Sequence, residues 1–491
     1  MPINKDRRDI VKMLVLAGFS IYIPGCGPSE EKETAPLKKS TPKVIDDPID
    51  LIEHAIDTNN VVYVQQADAR FEELKVGFNL RVPKTPKLIA LCKNTEGVAE
   101  AINLARKSGH KVAVKSGGHS FEAFSSINEG MQINLSLMNS IEWSGDDAII
   151  QPAAILKEMY DELLPKNRVI PAGSCGTVGI GGLTMGGGYG FFGRKYGLTC
   201  DSLKQATFVD GNGEIHKVDS QDDLMWALKG GGNGNFGVVT EMTFKTHPAP
   251  ASFTRHRFKA YKLDKDRTKA LLKAYFEYSA KLNNSCFVAF VLNHKTMVLL
   301  ITNYGEHDEA LTAMIDKFTI LADSADIGTP KDLATSLRTY YGVQYPIPFK
   351  NSSAGYYNDY SSIEGCIDKV LDVMFSKKGL IYQINTLGGN INNSEFEEAS
   401  CYPHRAMPYL CELQAYWNEG KDPKELLVNF AGIQDILYDH GIRKQYRNYP
   451  NIDFKDWESA YFGSNYEKLR GIKLKHDPFN LFSHKQTINL N

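Results

Sequence analysis

Apolar and polar positions along the chain fall into two rhythms, and the change from one to the other marks its elements. From Leu88 to Ser116 the run LIALCKNTEGVAEAINLARKSGHKVAVKS holds an apolar stretch, then Val98, Ala101, Ile102 and Ala105 at helical spacing, then a second apolar stretch. Thr95, Glu96 and Glu100 supply an acidic start for the middle piece, so the segment is expected to form a β-α-β unit. Strand-like runs follow at Met131–Leu135, Ala148–Pro152, Ala206–Val209 and Val238–Phe244, with helical patterns at Ile155–Leu164 and Asp222–Leu228. These predict an α+β fold for the first half of the body. After the Pro-rich hinge His247–Pro250, mixed strands and helices continue to about Gly441, and a polar, aromatic segment closes the chain. A cleft is expected between the two halves.

The first 48 residues break this pattern. KDRRDIVKMLVLAGFSIYIPGC, 5–26, has a basic start, an apolar run from Met13 to Ile23 and small residues before a cysteine, which is the layout of a signal peptide. The apolar run is shorter than the ~20 residues of a spanning helix. Arg7 and Arg8 resemble a twin-arginine export motif, with Asp6 where Ser or Thr is usual and Ile10 where Phe is usual. Ile23-Pro24-Gly25-Cys26 resembles a bacterial lipobox, which would make Cys26 a lipidation site. A plain cleaved signal and a membrane anchor are the other readings. Gly27 to about Pro48 is charged and Pro/Ser-rich, as suits a flexible tether. The expected division is 1–26 signal, 27–48 tether, 49–250 first domain, 251–440 second domain, and 441–491 a closing segment.

Charge and cysteine content narrow the function. With 56 basic against 58 acidic residues in 491, no basic footprint for nucleic acid exists. The eight cysteines are too sparse for a disulfide framework, and none lies in a C-x-x-C pair, so no metal site is expected.

Glycine carries the strongest chemical signal. KSGGHSFEAF, 115–124, places Ser116, Gly117, Gly118 and Ser120 around His119 directly after a strand, where backbone N–H groups can close on a diphosphate. Residues 171–197 hold eleven glycines in 27 positions, a density expected to exclude helix and strand interiors. The register from Gly179 has Thr184 in place of the last glycine of a dinucleotide fingerprint, and no Gly-Lys-Ser/Thr follows. Nicotinamide and ATP enzymes are therefore disfavoured.

SGGHS at 116–120, AGSCGTVGIGG at 172–182, GGGYGFFGRKYGLTCD at 186–201, WALKGGGNGNFGVVTEMTF at 226–244, PHR at 403–405, YRNY at 446–449 and DPFNLFSHKQTI at 477–488 together resemble one family. It is the berberine bridge enzyme-like and oligosaccharide oxidase branch of the vanillyl-alcohol oxidase flavoproteins. The resemblance implies a PCMH-type FAD-binding domain of two α/β subdomains, from about residue 84 to 250, and a substrate domain whose antiparallel sheet is covered by helices. It implies FAD bonded covalently through His119 to the flavin 8α-methyl carbon and through Cys175 to ring carbon 6. Gly173, Thr177, Gly179, Gly182, Tyr189 and Gly190 would lie about the cofactor, and Val238 and Val239 on its adenine side. Val178 would leave room for molecular oxygen. The candidate bases are Tyr449 and Tyr446, as in sugar-oxidising relatives, and Glu412, as in alkaloid-cyclising ones. Arg447 or Arg405 would steady a phenolate. Phe121 stands where many relatives carry Tyr, so one substrate hydrogen bond is missing.

The implied function is an exported bacterial oxidase, periplasmic or lipid-anchored, that oxidises a carbohydrate hydroxyl with O2 as acceptor and H2O2 as product. A flavin dehydrogenase or berberine-bridge-type oxidase of an aromatic secondary metabolite is the alternative, and a catalytically idle flavin-binding lipoprotein a third reading.

Overall fold

The structure is a computed structural model that describes residues 56–490. The signal, the tether and Cys26 lie outside the described residues.

The first sheet contains β1 (Ile56–Asp57), β2 (Val61–Val64), β3 (Leu88–Cys92), β4 (Val112–Lys115) and β5 (Met131–Asn134), in the order β1-β2-β3-β5-β4. β3, β5 and β4 are parallel, while β1 and β2 add antiparallel at the edge. The β-α-β unit is present, but β5 lies between its two strands. A local hydrophobic pattern cannot reveal such an insertion. The crossover helix Thr95–Lys107 buries Val98, Ala101, Ile102 and Ala105 as its spacing predicts. Its cap is Asn94, whose side chain accepts from the Gly97 amide at 2.9 Å, and not Thr95.

The chain continues through β6 (Ile141–Ser144), β7 (Asp147–Ile150), β8 (Arg168–Val169), β9 (Leu203–Asp210), β10 (Ile215–Val218), β11 (Gly237–Lys245) and β12 (His247–Pro248). Five of these form an antiparallel sheet in the order β10-β9-β11-β7-β6, and β8 leaves it to pair with β12. Contrary to the sequence expectation, the glycine-rich stretch is partly helical, at Ile180–Met185 and Gly193–Tyr196. Several of its glycines serve contacts within the protein: a β-carbon on Gly190 would lie 1.9 Å from the Ala172 carbonyl oxygen, and one on Gly181 2.7 Å from Pro152.

The second half is built on seven antiparallel strands: β13 (Thr254–Ala260), β14 (Cys286–Asn293), β15 (Thr296–Asn303), β16 (Ser324–Asp326), β17 (Phe349–Tyr357), β18 (Leu380–Thr386) and β19 (Tyr409–Tyr416). Their order is β16-β13-β15-β14-β18-β19-β17. Because side chains alternate across a strand, Val288, Phe290, Ile384, Cys411 and Leu413 face the helices Lys265–Ser279, Glu309–Leu321, Ile367–Ser376 and Lys424–Asp439 in one apolar core. Phe287, Ala289, Gln383, Asn385, Glu412 and Gln414 point the other way, into a cavity.

The closing segment runs back to the first half. Lys473 and Asp477, both fully buried, form an ion pair at 2.6 Å, and Lys473 Nζ also donates to the carbonyls of Asn235 and Phe482. Beside it the Val112 amide donates to the Leu481 carbonyl at 2.8 Å. YRNY is held over the glycine-rich loops by its own contacts, the Gly188 amide donating to the Tyr446 oxygen and Asn448 Nδ2 to the Leu183 carbonyl.

Candidate cofactor and substrate site

The cavity, about 450 Å³, lies between the glycine-rich loops, the free face of the seven-stranded sheet and the closing segment. Nearly every residue singled out in the sequence lies on its wall. Ser116, Gly117, Gly118, His119 and Ser120 come from the loop after β4, and Gly173, Cys175, Val178, Gly179, Gly182, Tyr189 and Gly190 from the glycine-rich stretch. Val238 and Val239 come from β11, Glu412 from β19, and Tyr446 and Tyr449 from the closing segment. Thr177 is the exception: it stands behind the wall, its buried hydroxyl without a partner, and its backbone bonds to the His119 ring.

Two loops bring the candidate residues His119 and Cys175 to the one cavity. The His119 ring stacks on Phe78 at 3.9 Å between centroids, and burial pulls its pKa down to about 3, so the imidazole is neutral with a free electron pair. The Cys175 thiol is accessible to the cavity but enclosed by protein. Burial, with Glu412 second, pushes its pKa up to about 11, which leaves it a thiol. Burial likewise raises Glu412 to about 8, against hydrogen bonds from Gln414 and Asn351, so the carboxyl is mostly protonated at neutral pH.

The tyrosines are networked. Tyr449 and Tyr189 hydroxyls are 2.9 Å apart, and Asn385 Nδ2 donates to the Tyr189 oxygen at 3.1 Å, which leaves the Tyr189 proton free for Tyr449. Burial, then Tyr189, Glu412 and Tyr446, holds Tyr449 well above the ordinary phenol range. Tyr446 plays a different part, because its oxygen accepts from the Gly188 amide and from Asn448 Nδ2, both at 3.0 Å, and so fixes the triple-glycine turn. Phe121 stacks parallel to Tyr449 at 5.2 Å.

Arg405 does not serve a phenolate. It is fully buried away from the cavity, where Asp201 takes both of its terminal nitrogens, at 3.0 and 2.6 Å. Arg447 does line the cavity, among Phe124, Tyr461 and His484.

Sequence reasoning missed the amide floor formed by Asn351, Gln383, Asn385 and Gln414. A signal existed: in LIYQINT and YLCELQAY the polar residues recur at every second position within otherwise apolar strands. It also missed Asp210, His216 and His476, whose ligand atoms lie within 4.8 Å of one another away from the cavity. There the Asp210 carboxylate accepts from the Asn212 and Glu214 amides and pairs with His216 at 3.1 Å, so it closes the β9–β10 turn.

The wall suits a dinucleotide. β-Carbons at Gly182 and Gly234 would project into open space, and the Asn233 Oδ1 beside them is buried without a partner. A family model described as "FAD binding domain" matches residues 86–219, and one described as "Berberine and berberine like" matches 445–489. In both matched segments the chain is similar to the berberine bridge enzyme-like flavoproteins. Similar proteins include the FAD-linked oxidoreductase YvdP of Bacillus subtilis, 28% identical over 88% of this chain and 98% of the relative. Reticuline oxidase of Papaver somniferum is 25% identical over 82% and 83% of the two chains. Among solved structures, a chitooligosaccharide oxidase superposes with a TM-score of 0.79 at 25% identity, over 87% of this chain and 97% of the other. Glucooligosaccharide oxidase from Acremonium strictum, described as carrying a 6-S-cysteinyl, 8α-N1-histidyl FAD, gives 0.78 at 24%, over 87% and 97%. The chain is accordingly an FAD-linked oxidoreductase.

Proposed function

We propose that the protein is an oxidase that holds its FAD by two covalent bonds, at His119 and Cys175, and oxidises a carbohydrate hydroxyl, with O2 reduced to H2O2. The observation that carries this reading is that both side chains face one cavity from separate loops, opposite a floor of carboxamides. FAD held at His119 and Cys175 would supply the acceptor for a hydride from the substrate carbon and the two electrons that reduce O2.

The protein's own residues supply the rest. Neutral His119 is a nucleophile as it stands, whereas Cys175 must first lose the proton that burial holds on it, because the thiolate is the form that attacks an electrophilic carbon of the cofactor. The carbonyl product forms only if the hydroxyl proton leaves with the hydride, and Tyr449, paired with Tyr189, would take it as a phenolate, after losing the proton that burial holds on it. Asn351, Gln383, Asn385 and Gln414 each offer both donors and acceptors, which matches a substrate carrying several hydroxyls. Val178, half-buried on the wall, leaves space for O2.

One observation favours a second reading. Glu412, at about 8, gives up its proton more readily than Tyr449 does, and a carboxylate base would suit oxidation of an aromatic secondary metabolite. The deciding experiment is anaerobic bleaching of the flavin by sugar and aromatic-alcohol panels, followed by a peroxide assay in air. Bleaching by sugars with stoichiometric peroxide supports the oxidase reading. Bleaching by aromatic alcohols alone, or reoxidation without peroxide, overturns it.

Residues 1–26 are further proposed to export the folded protein by the twin-arginine route, with Cys26 as a lipid anchor. Arg7→Lys with Arg8→Lys should retain it in the cytoplasm, and unchanged export would refute that route.

A further inference from the structure

Arg447 is only 4% exposed, and no carboxylate stands beside its guanidinium among the described residues. Several other buried cations among the described residues have charged or carbonyl partners, although the Nε of Arg194 is also without one. Lys473 has Asp477, Arg405 has Asp201, Lys350 has Glu122, and Arg194 donates to the carbonyls of Leu387 and Leu282. Arg447 has instead a 3.5 Å approach of Nη2 to His484 Nε2, two aromatic rings at 5.7 Å and a buried Nε without a partner. Burial lowers its pKa only to about 10, so the charge persists at neutral pH. His484 cannot balance that charge, because burial and Arg447 itself keep the imidazole neutral.

A buried, unpaired guanidinium costs stability unless something brings an anion to it. The surroundings indicate where that anion enters. Arg447 lies on the wall of the large cavity with Gly232, Asn233 and Gly234, and Gly234, at a φ of +67°, leaves open space above its backbone. Lys84 and Lys485 line the adjoining recess beside His484 and Phe124. The cavity wall thus carries a cation at Arg447, while the carboxyl of Glu412, beside Cys175, is mostly protonated at neutral pH.

We propose that Arg447 is the counter-charge for the diphosphate of the bound FAD, pairing through its free Nε and terminal nitrogens. The inference rests on FAD as the cofactor and adds the residue that neutralises its permanent negative charge. A planar fork of N–H donors suits phosphate oxygens, and such charge-assisted bonds are the stronger kind.

The test uses the full chain with His119→Ala and Cys175→Ala, in which FAD binds reversibly and its affinity is measurable by fluorescence titration. Adding Arg447→Met should weaken FAD on the order of 10–100-fold, the loss expected for hydrogen bonds to a charged group. Riboflavin, which has no phosphate, should bind as before, and Arg447→Lys should recover most of the FAD affinity. Without cofactor, the Arg447→Met chain should melt higher than its parent, and the parent alone should be stabilised by inorganic diphosphate. Equal losses for FAD and riboflavin would move Arg447 to the flavin ring and overturn the proposal, as would unchanged FAD affinity in Arg447→Met. If the parent takes up no FAD, the cofactor reading falls and the proposal with it. FAD uptake by the parent with no effect of Arg447→Met removes the proposal alone.

Discussion

Gly117 and Gly179 touch backbone to backbone. A β-carbon on Gly117 would lie 2.4 Å from the Gly179 amide nitrogen, and one on Gly179 2.6 Å from that of Gly117, both closer than real β-carbons approach other atoms. The loops that carry His119 and Cys175 can therefore dock only because neither residue has a side chain. Gly179→Ala should separate the loops, and the purified protein should fold by circular dichroism yet retain little flavin after acid precipitation. Full retention would show that the contact is dispensable.

The same acid treatment separates the two tethers. Each of His119→Ala and Cys175→Ala should keep its flavin through precipitation, and only the double variant should release it. A wild-type chain that loses its colour in acid would overturn covalent attachment.

Replacing Tyr449 with Phe removes a proton acceptor and leaves the ring stack on Phe121 intact. Stopped-flow reduction of the flavin should slow by ~10²–10⁴, the usual worth of a positioned general base. Glu412→Gln should have a smaller effect. The reverse order would transfer the base to the carboxyl and the substrate to the aromatic class.

Glu412 also makes stability depend on pH. Its pKa is raised from 4.5 to about 8 in the fold, so the native state favours the protonated acid. This relative stability is fully present below about pH 4.5 and is lost as pH rises through 8. Glu412→Gln should therefore leave the melting temperature nearly unchanged at pH 5 and raise it at pH 9. A gain of equal size at both values would mean that the carboxylate is not buried as described.

Val178→Leu adds bulk to the cavity wall. Reoxidation by O2 should slow while anaerobic reduction by substrate stays nearly constant. If both half-reactions slowed equally, Val178 would shape the substrate pocket instead.

Local signals in the sequence survive in the structure, and long-range ones were hidden. The run Val238–Phe244 lies within β11, and the stripe Val98, Ala101, Ile102 and Ala105 is the buried face of its helix, because both follow from spacing alone. His119 and Cys175 were legible as motif residues, but their meeting depends on the Gly117–Gly179 contact, which no pattern encodes. Arg405 was misjudged for a similar reason: Asp201, which neutralises it, lies 204 positions away. The amide floor escaped because strands buried on both faces look uniformly apolar until every second residue is compared. Asn94, a neighbour of the expected cap, shows that a helix start is set by which side chain reaches the Gly97 amide.

The latch at Lys473 and Asp477 has a bearing on the order in which the enzyme becomes competent. YRNY and the Lys473–Asp477 pair follow every other wall-forming segment in the sequence, so a ribosome delivers the cavity's last side only after both sheets have emerged. A nascent chain stalled before residue 445 carries His119 and Cys175 but lacks Arg447, Tyr449 and the buried ion pair. Truncated products of interrupted synthesis thus lack one wall of the cavity.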